Sequence, residues 1–195
     1  FSLNRYNSTI HNVEANINFK REAQLTAGVN YTWEQGDVRD FREHHPERNR
    51  FALFSAFKIH PFKYWRFAFS IREEFVNGKT TPIAPTLSIK RLLKSSMEVF
   101  ANISRNYRLP TFNDLYWQGT GAQGNPSLQP ELSLGGEAGF GYLKAPLTFK
   151  IVLFSNRVDN WILWIPESGR TWIPENIKEV WSRGLESQLT ANQKF

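Results

Sequence analysis

The sequence predicts an all-β fold: an antiparallel up-and-down transmembrane β-barrel, here a partial barrel of about 9–10 strands. Three observations predict it. Apolar and polar residues alternate with a period of two along most of the chain, giving each segment one apolar and one polar face. The connections alternate short and long: short near 20–22, 60–63, 94–96 and 144–146, long near 34–49, 76–82, 107–131 and 159–178. The segments run roughly 10–13 residues, as a tilted membrane-crossing strand requires, whereas strands of soluble sandwiches run about 5–6. Antiparallel neighbours place successive connections at opposite ends of a sheet, and outer-membrane barrels keep short turns at one end and long loops at the other. The alternative is a soluble β-sandwich serving binding or adhesion, with its apolar faces packed between two sheets.

Each element follows from local pattern. Val13, Ala15, Ile17 and Phe19 alternate with Asn12, Glu14, Asn16 and Asn18, and Lys20-Arg21-Glu22 turns the chain. Leu25, Ala27, Val29, Tyr31 and Trp33 form the second strand, and Glu34 to Asn49 reads as a polar loop. Phe51 to Ile59 resumes the alternation, His60 to Lys63 turns, and Trp65 to Phe75 returns. Asn77-Gly78 is a strong turn dipeptide. Leu87 to Leu93 is expected to begin after Pro85, because proline donates nothing to a ladder. Lys94-Ser95-Ser96 leads into Val99 to Tyr107. Leu132 to Tyr142 and Leu147 to Val158 flank a turn at Lys144-Ala145-Pro146. Asp159 to Lys178 reads as a long loop or an extended hairpin, with a last strand from Trp181. No helix is expected. The chain starts and stops mid-pattern, at Phe1-Ser2-Leu3-Asn4 and at Asn192 to Phe195, and reads as a fragment.

Composition narrows the chemistry. No run approaches the roughly 18–20 apolar residues of a spanning helix. There is no cysteine, hence no disulfide framework and no thiolate metal site. The net charge of +6 is scattered rather than gathered on one element, which argues against a nucleic-acid surface. Glu73 and Glu74 are neighbours on a strand, so they point to opposite faces and make no acid/base pair. His44-His45 with Glu43 and Glu47 is a metal or haem site or, more simply, a solvated loop, while His11 and His60 stand alone. No catalytic residue, metal or cofactor is expected, and no enzyme activity. Tyr31, Trp33, Trp65, Phe75, Tyr107 and Tyr142 lie near strand ends, where an interfacial girdle would sit. Arg66, Arg72 and Arg105 are expected on the polar, lumen side. Trp117, Trp161, Trp164 and Trp172 fall in loops, where such rings hold flat or apolar ligands or order the loop itself. With Asn125 they are the candidate ligand-binding residues.

The stretch from Asn106 to Glu131 is the longest connection and carries three of the ten prolines. Arg108-x-Pro110-Thr111, then Leu115-Tyr116, then Gly124-Asn125-Pro126-x-Leu128-x-Pro130-Glu131 resembles the late-barrel signature of TonB-dependent outer-membrane receptors. Glu137 matches a further family glutamate, and Gly184-x-Glu186 is similar to a later family strand. The Phe-Asn-Asp-Leu-Tyr-Trp wording at Phe112–Trp117 looks like receptors of the Bacteroidetes. No histidine lies between Pro110 and Asn125, where haem receptors of the family carry one. The resemblance implies a cell outer-membrane location in a Gram-negative bacterium. It implies uptake of a scarce small-molecule nutrient, such as a ferric siderophore or cobalamin. It implies as partners outer-membrane lipid, the plug domain of the same full-length protein, and the TonB complex, reached through an N-terminal part. Residues 1–195 then belong to the barrel domain, with neither plug nor TonB box among them.

Overall fold

A computed structural model describes residues 5–19, 22–94, 96–167 and 171–191. The strands are β1 (Arg5–Phe19), β2 (Ala23–Asp37), β3 (Glu47–Phe62), β4 (Trp65–Val76), β5 (Lys79–Thr80), β6 (Ala84–Lys94) and β7 (Met97–Arg108). After a short helix, α1 (Phe112–Tyr116), come β8 (Gln118–Gly119), β9 (Ala122–Gln123), β10 (Glu131–Lys144), β11 (Leu147–Pro166) and β12 (Trp172–Ala191). Lys20, Arg21, Ser95, Gly169 and the two chain ends, all part of expected turns or cuts, lie outside the described residues.

The long strands form one meander, β1-β2-β3-β4-β6-β7-β10-β11-β12, each antiparallel to the next. Among the described residues its two edges do not pair with each other, so the sheet is an open part of a barrel. The pairing register keeps the two faces distinct. Leu25, Phe57, Phe69, Leu87 and Ile103 follow one another across five strands. On this face Phe69 is 46%, Leu87 49%, Ile103 51% and Leu153 60% exposed. A sandwich would cover such a face with a second sheet; here the sheet is single, and lipid is the solvent that suits it. The other face carries Asn30, Arg72, Glu74, Lys90, Asn102 and Glu137, as a wet lumen permits.

Several boundaries differ from the sequence reading. The polar runs at both ends of Glu34–Asn49 remain paired, so β2 and β3 extend toward each other and leave a loop of only 38–46. Asp159 to Lys178 is an extended hairpin: β11 and β12 pair from Leu147↔Ala191 out to Pro166↔Trp172. Asn160 kinks β11 with φ 56°, a left-handed conformation asparagine tolerates. The expected absence of helix is corrected by α1. Its five residues are too few for periodicity to reveal, but Thr111 and Asp114 cap it reciprocally. Asn77-Gly78 forms the turn its composition demands, with φ 48° and 79°. Arg105 is also corrected. It pairs with Leu134, 53% exposed, and shares the apolar face with Ile103 rather than the lumen.

Apart from Ala52 and Val152, buried within β3 and β11, the buried core is gathered at one end. Val38, Phe41, Pro46, Leu128, Val158, Ile162 and Pro174 are all buried, and all lie in or beside the long loops. The sheet needs no core of its own between lipid and water; the loops do.

Candidate functional site

Residues 109–130 are laid across the loop end of the sheet and held from three sides. Arg108 and Glu131 end β7 and begin β10, directly opposite each other. Arg108 Nε donates to Glu131 at 2.7 Å, with a second bond from its Nη2. Glu131 is 6% exposed and also accepts the backbone N–H of Ile162 at 2.8 Å. This pair closes the base of the loop and ties it to β11. The carbonyl of Pro110 accepts from Arg48 at 2.7 Å, and the Arg48 guanidinium lies 4.9 Å over the Phe112 ring.

Asp114 is the centre of the next layer. One carboxylate oxygen accepts from Thr111 N (2.9 Å) and Thr111 Oγ1 (2.8 Å); the other accepts the indole N–H of Trp164 at 3.0 Å. The N–H groups of Leu115 and Trp117 close the helical turn. Tyr116 accepts from Arg42 N through its carbonyl, and its ring meets Phe41 and Phe112. Burial, reinforced by the Glu43 carboxylate, pushes the Tyr116 phenol up, so it stays a neutral donor. Trp117 meets Phe41 edge-on at 6.4 Å and bridges to it through the backbone. Loop 38–46 is thereby fastened to the signature loop.

The remaining signature residues have equally local reasons. At Gly124 an added Cβ would stand 2.7 Å from Trp117 N, so only glycine lets the chain pass. Asn125 takes the N–H of Ser127 at 3.0 Å and donates to the Pro174 carbonyl at 3.2 Å, with Pro126 exposed between. Leu128 is buried, and Pro130 leads into Glu131. Asn176 of β12 holds Gln129 by both its N–H and carbonyl (2.9 and 3.0 Å) and also the Asn160 carbonyl (2.7 Å). Glu137 accepts from Asn102 at 2.6 Å, lower on the polar face.

Of the candidate ligand residues, Trp117, Trp164 and Asn125 converge on this assembly through the contacts above. Trp172 begins β12 at the hairpin tip, 49% exposed, its backbone held by Gly121 and Ala122. Trp161 is 37% exposed and shares its face of β11 with Leu163, away from Trp164. His45 lies 3.7 Å from Asp37.

Below the loop opens a cleft of about 630 Å³, lined in part by Arg48, Arg50, Arg72, Asn106, Arg108 and Phe112. Behind the lining residues Arg50, Arg72 and Tyr107 lies Glu74, 1% exposed. Arg50 and Arg72 each reach Glu74 at 3.1 Å, and Tyr107 donates to it from β7, past the level where β6 begins. Tyr107 is thus engaged with the cleft rather than held as a girdle ring. Arg50 also meets Glu34 at 3.0 Å, and Arg48 approaches it at 3.5 Å. A buried carboxylate persists only where donors satisfy it, and here three converge. In the sequence Glu74 stood out only as half of a rejected carboxylate pair, and Arg48 and Arg50 not at all. The available signal was that Arg72 and Glu74, and likewise Arg48 and Arg50, are two apart and so share a face.

Comparison with known proteins follows the same lines. The family model described as TonB dependent receptor-like, beta-barrel, matches residues 2–195. The vitamin B12 transporter BtuB of Photobacterium profundum is 29% identical over 184 residues, covering 89% of this chain and 29% of that protein. BtuB of Vibrio vulnificus is 34% identical over 91 residues, 46% of this chain and 14% of that protein. Among solved structures, the siderophore receptor PirA from Pseudomonas aeruginosa superposes with a TM-score of 0.85 at 19% identity, over 94% of this chain and 37% of that one. The hemophore receptor HasR of Serratia marcescens gives 0.82 at 16% identity, over 95% and 39%. The chain therefore spans less than two fifths of these relatives, and the structural likenesses speak for the fold.

Proposed function

The chain belongs to the family of TonB-dependent receptor β-barrels, and from that premise we propose that it is part of an active-transport receptor for a scarce nutrient. Its place is the cell outer membrane of a Gram-negative bacterium. Residues 1–195 supply barrel wall and outer loops, and the plug comes from another part of the full-length protein. The ligand is held at the loop end, and energy delivered through the TonB complex admits it. The curated relatives are vitamin B12 transporters, which favours a cobalamin; a ferric siderophore is the second candidate. The observation that carries this reading is the family match over nearly the whole chain. The clamped loops add support, since a ligand platform must be rigid to bind tightly.

Within it, Trp172 and Trp117 present ring surface to the ligand, and Trp164 and Asn125 keep the loop in place; Trp161 contributes from lower on the hairpin, on the face it shares with Leu163. The experiment is uptake of radiolabelled cyanocobalamin and of ferric siderophores by cells whose only such receptor is the complete protein, with and without TonB. TonB-dependent uptake of either ligand is expected. No uptake of any such ligand in correctly inserted protein would sink the proposal. Trp172→Ala is expected to weaken binding about tenfold, the loss of an exposed aromatic anchor.

A further inference from the structure

The apolar face carries a hollow on the side of the sheet away from the cleft. It measures about 520 Å³ and lies over Gly136 and Ser155, a paired glycine and serine set among larger neighbours. Ile103, Leu134 and Leu153 wall it, each more than half exposed. The missing side chains leave a slot one to two strand spacings wide, at about 4.8 Å each, which suits an alkyl chain.

The loop-side rim of the slot is cationic. Arg157 and Trp181 pair across β11 and β12; Arg183, which pairs with Ser155 at the level of the hollow itself, places its guanidinium 4.8 Å over the Trp181 ring. Arg105 stands on the opposite flank, beside Leu134. Asp159 and Glu179 both bind Arg157, at 2.8 and 3.0 Å, and so neutralise it. Neither Arg105 nor Arg183 forms an ion pair with a described carboxylate. Cations beside hydrocarbon are costly unless an anion meets them.

We propose that this face binds a phosphorylated lipid of the outer leaflet, one acyl chain in the Gly136–Ser155 hollow and head-group phosphates on Arg105 and Arg183. The two arginines stand on β7 and β12, three strand spacings apart and two residues out of step along the strands, or about 16 Å between their backbones. One phosphate does not bridge that distance, so a head group with two phosphates fits best. Trp181, two residues from Arg183 on β12, offers the indole that interfaces prefer. The site lies on the opposite face from the cleft and does not depend on which nutrient is carried.

The test is native mass spectrometry of the complete receptor in an uncharged detergent. The probes are bisphosphorylated lipid A, monophosphorylated lipid A and phosphatidylcholine. Retention is expected to fall in that order. Arg105→Gln combined with Arg183→Gln should lower retention of the bisphosphorylated lipid roughly tenfold or more, while the double Lys variant keeps most of it. Gly136→Leu fills the hollow without altering charge and should also reduce retention. Nutrient uptake by the Gln variant should match wild type, which separates this site from the transport reading. Equal retention of all three lipids, or unchanged retention in the Gln variant, overturns the proposal.

Discussion

Asp114 shows how much one side chain does in the loop cluster. Its carboxylate caps α1 from the third position, fixes Thr111 and takes the indole N–H of Trp164, fifty positions further along the chain. Asp114→Ala leaves that indole and two Thr111 donors without their acceptor. The expected cost is about 1–2 kcal/mol of local stability. It should appear as hydrogen exchange about tenfold faster or more through residues 112–125, with the sheet unaffected; unchanged exchange there would show that Asp114 is not the latch. At this scale the sequence was partly legible. Thr111 and Asp114 stand in the spacing of a capping box, and Gly124-Asn125-Pro126 announces a turn. The partner of Asp114 was not legible, because Trp164 reaches it only after β11 folds over the loop.

The element that matters most is the β11–β12 hairpin. It overshoots β10, and its extra length is the wall against which the signature loop is held. Asn176 is the strap, with bonds to Gln129 and to the Asn160 carbonyl at the kink. Asn176→Ala should release residues 126–130 while leaving β11 and β12 paired, at a cost of about 1–3 kcal/mol. Limited proteolysis of the folded receptor would then cut at 126–130 where the wild type resists; equal resistance would show the strap to be redundant. The sequence placed the strands of this region but not their reach. Three tryptophans, two prolines and a glycine between 159 and 178 look like loop composition. A hairpin standing clear of the membrane has no lipid on one side, so it needs no strict alternation.

Across the whole molecule, the two faces of the sheet make opposite demands. Leu87 lies mid-strand on the apolar face, 49% exposed, and its neighbour Ser88 points the other way. Leu87→Arg should cost about 2–4 kcal/mol when the complete receptor folds into phospholipid vesicles, and Ser88→Arg close to nothing. Equal effects of the two would overturn the assignment of faces. Cleft, loop clamp and outer hollow all depend on that assignment. Glu74 is tolerable only because its face meets water and arginines, and Arg105 is exposed to lipid only because it stands on the other.

What the sequence determined by itself was the repeating part: period-two alternation, the short–long rhythm of connections, and the order of strands. These are local properties of a meander, where each strand pairs with its neighbour in the chain. It also carried the signature loop, because capping, turn and close-approach requirements act over a few residues. The tertiary structure alone decided which loops lean on one another, where the strands end, and which charges meet. Arg108 finds Glu131, Arg48 finds Pro110, and Arg50, Arg72 and Tyr107 find Glu74 only once strands far apart in sequence lie side by side. The reason is geometric. Alternation assigns a residue to a face, but the partner it meets on that face depends on register and strand length, which are set by pairing across the sheet.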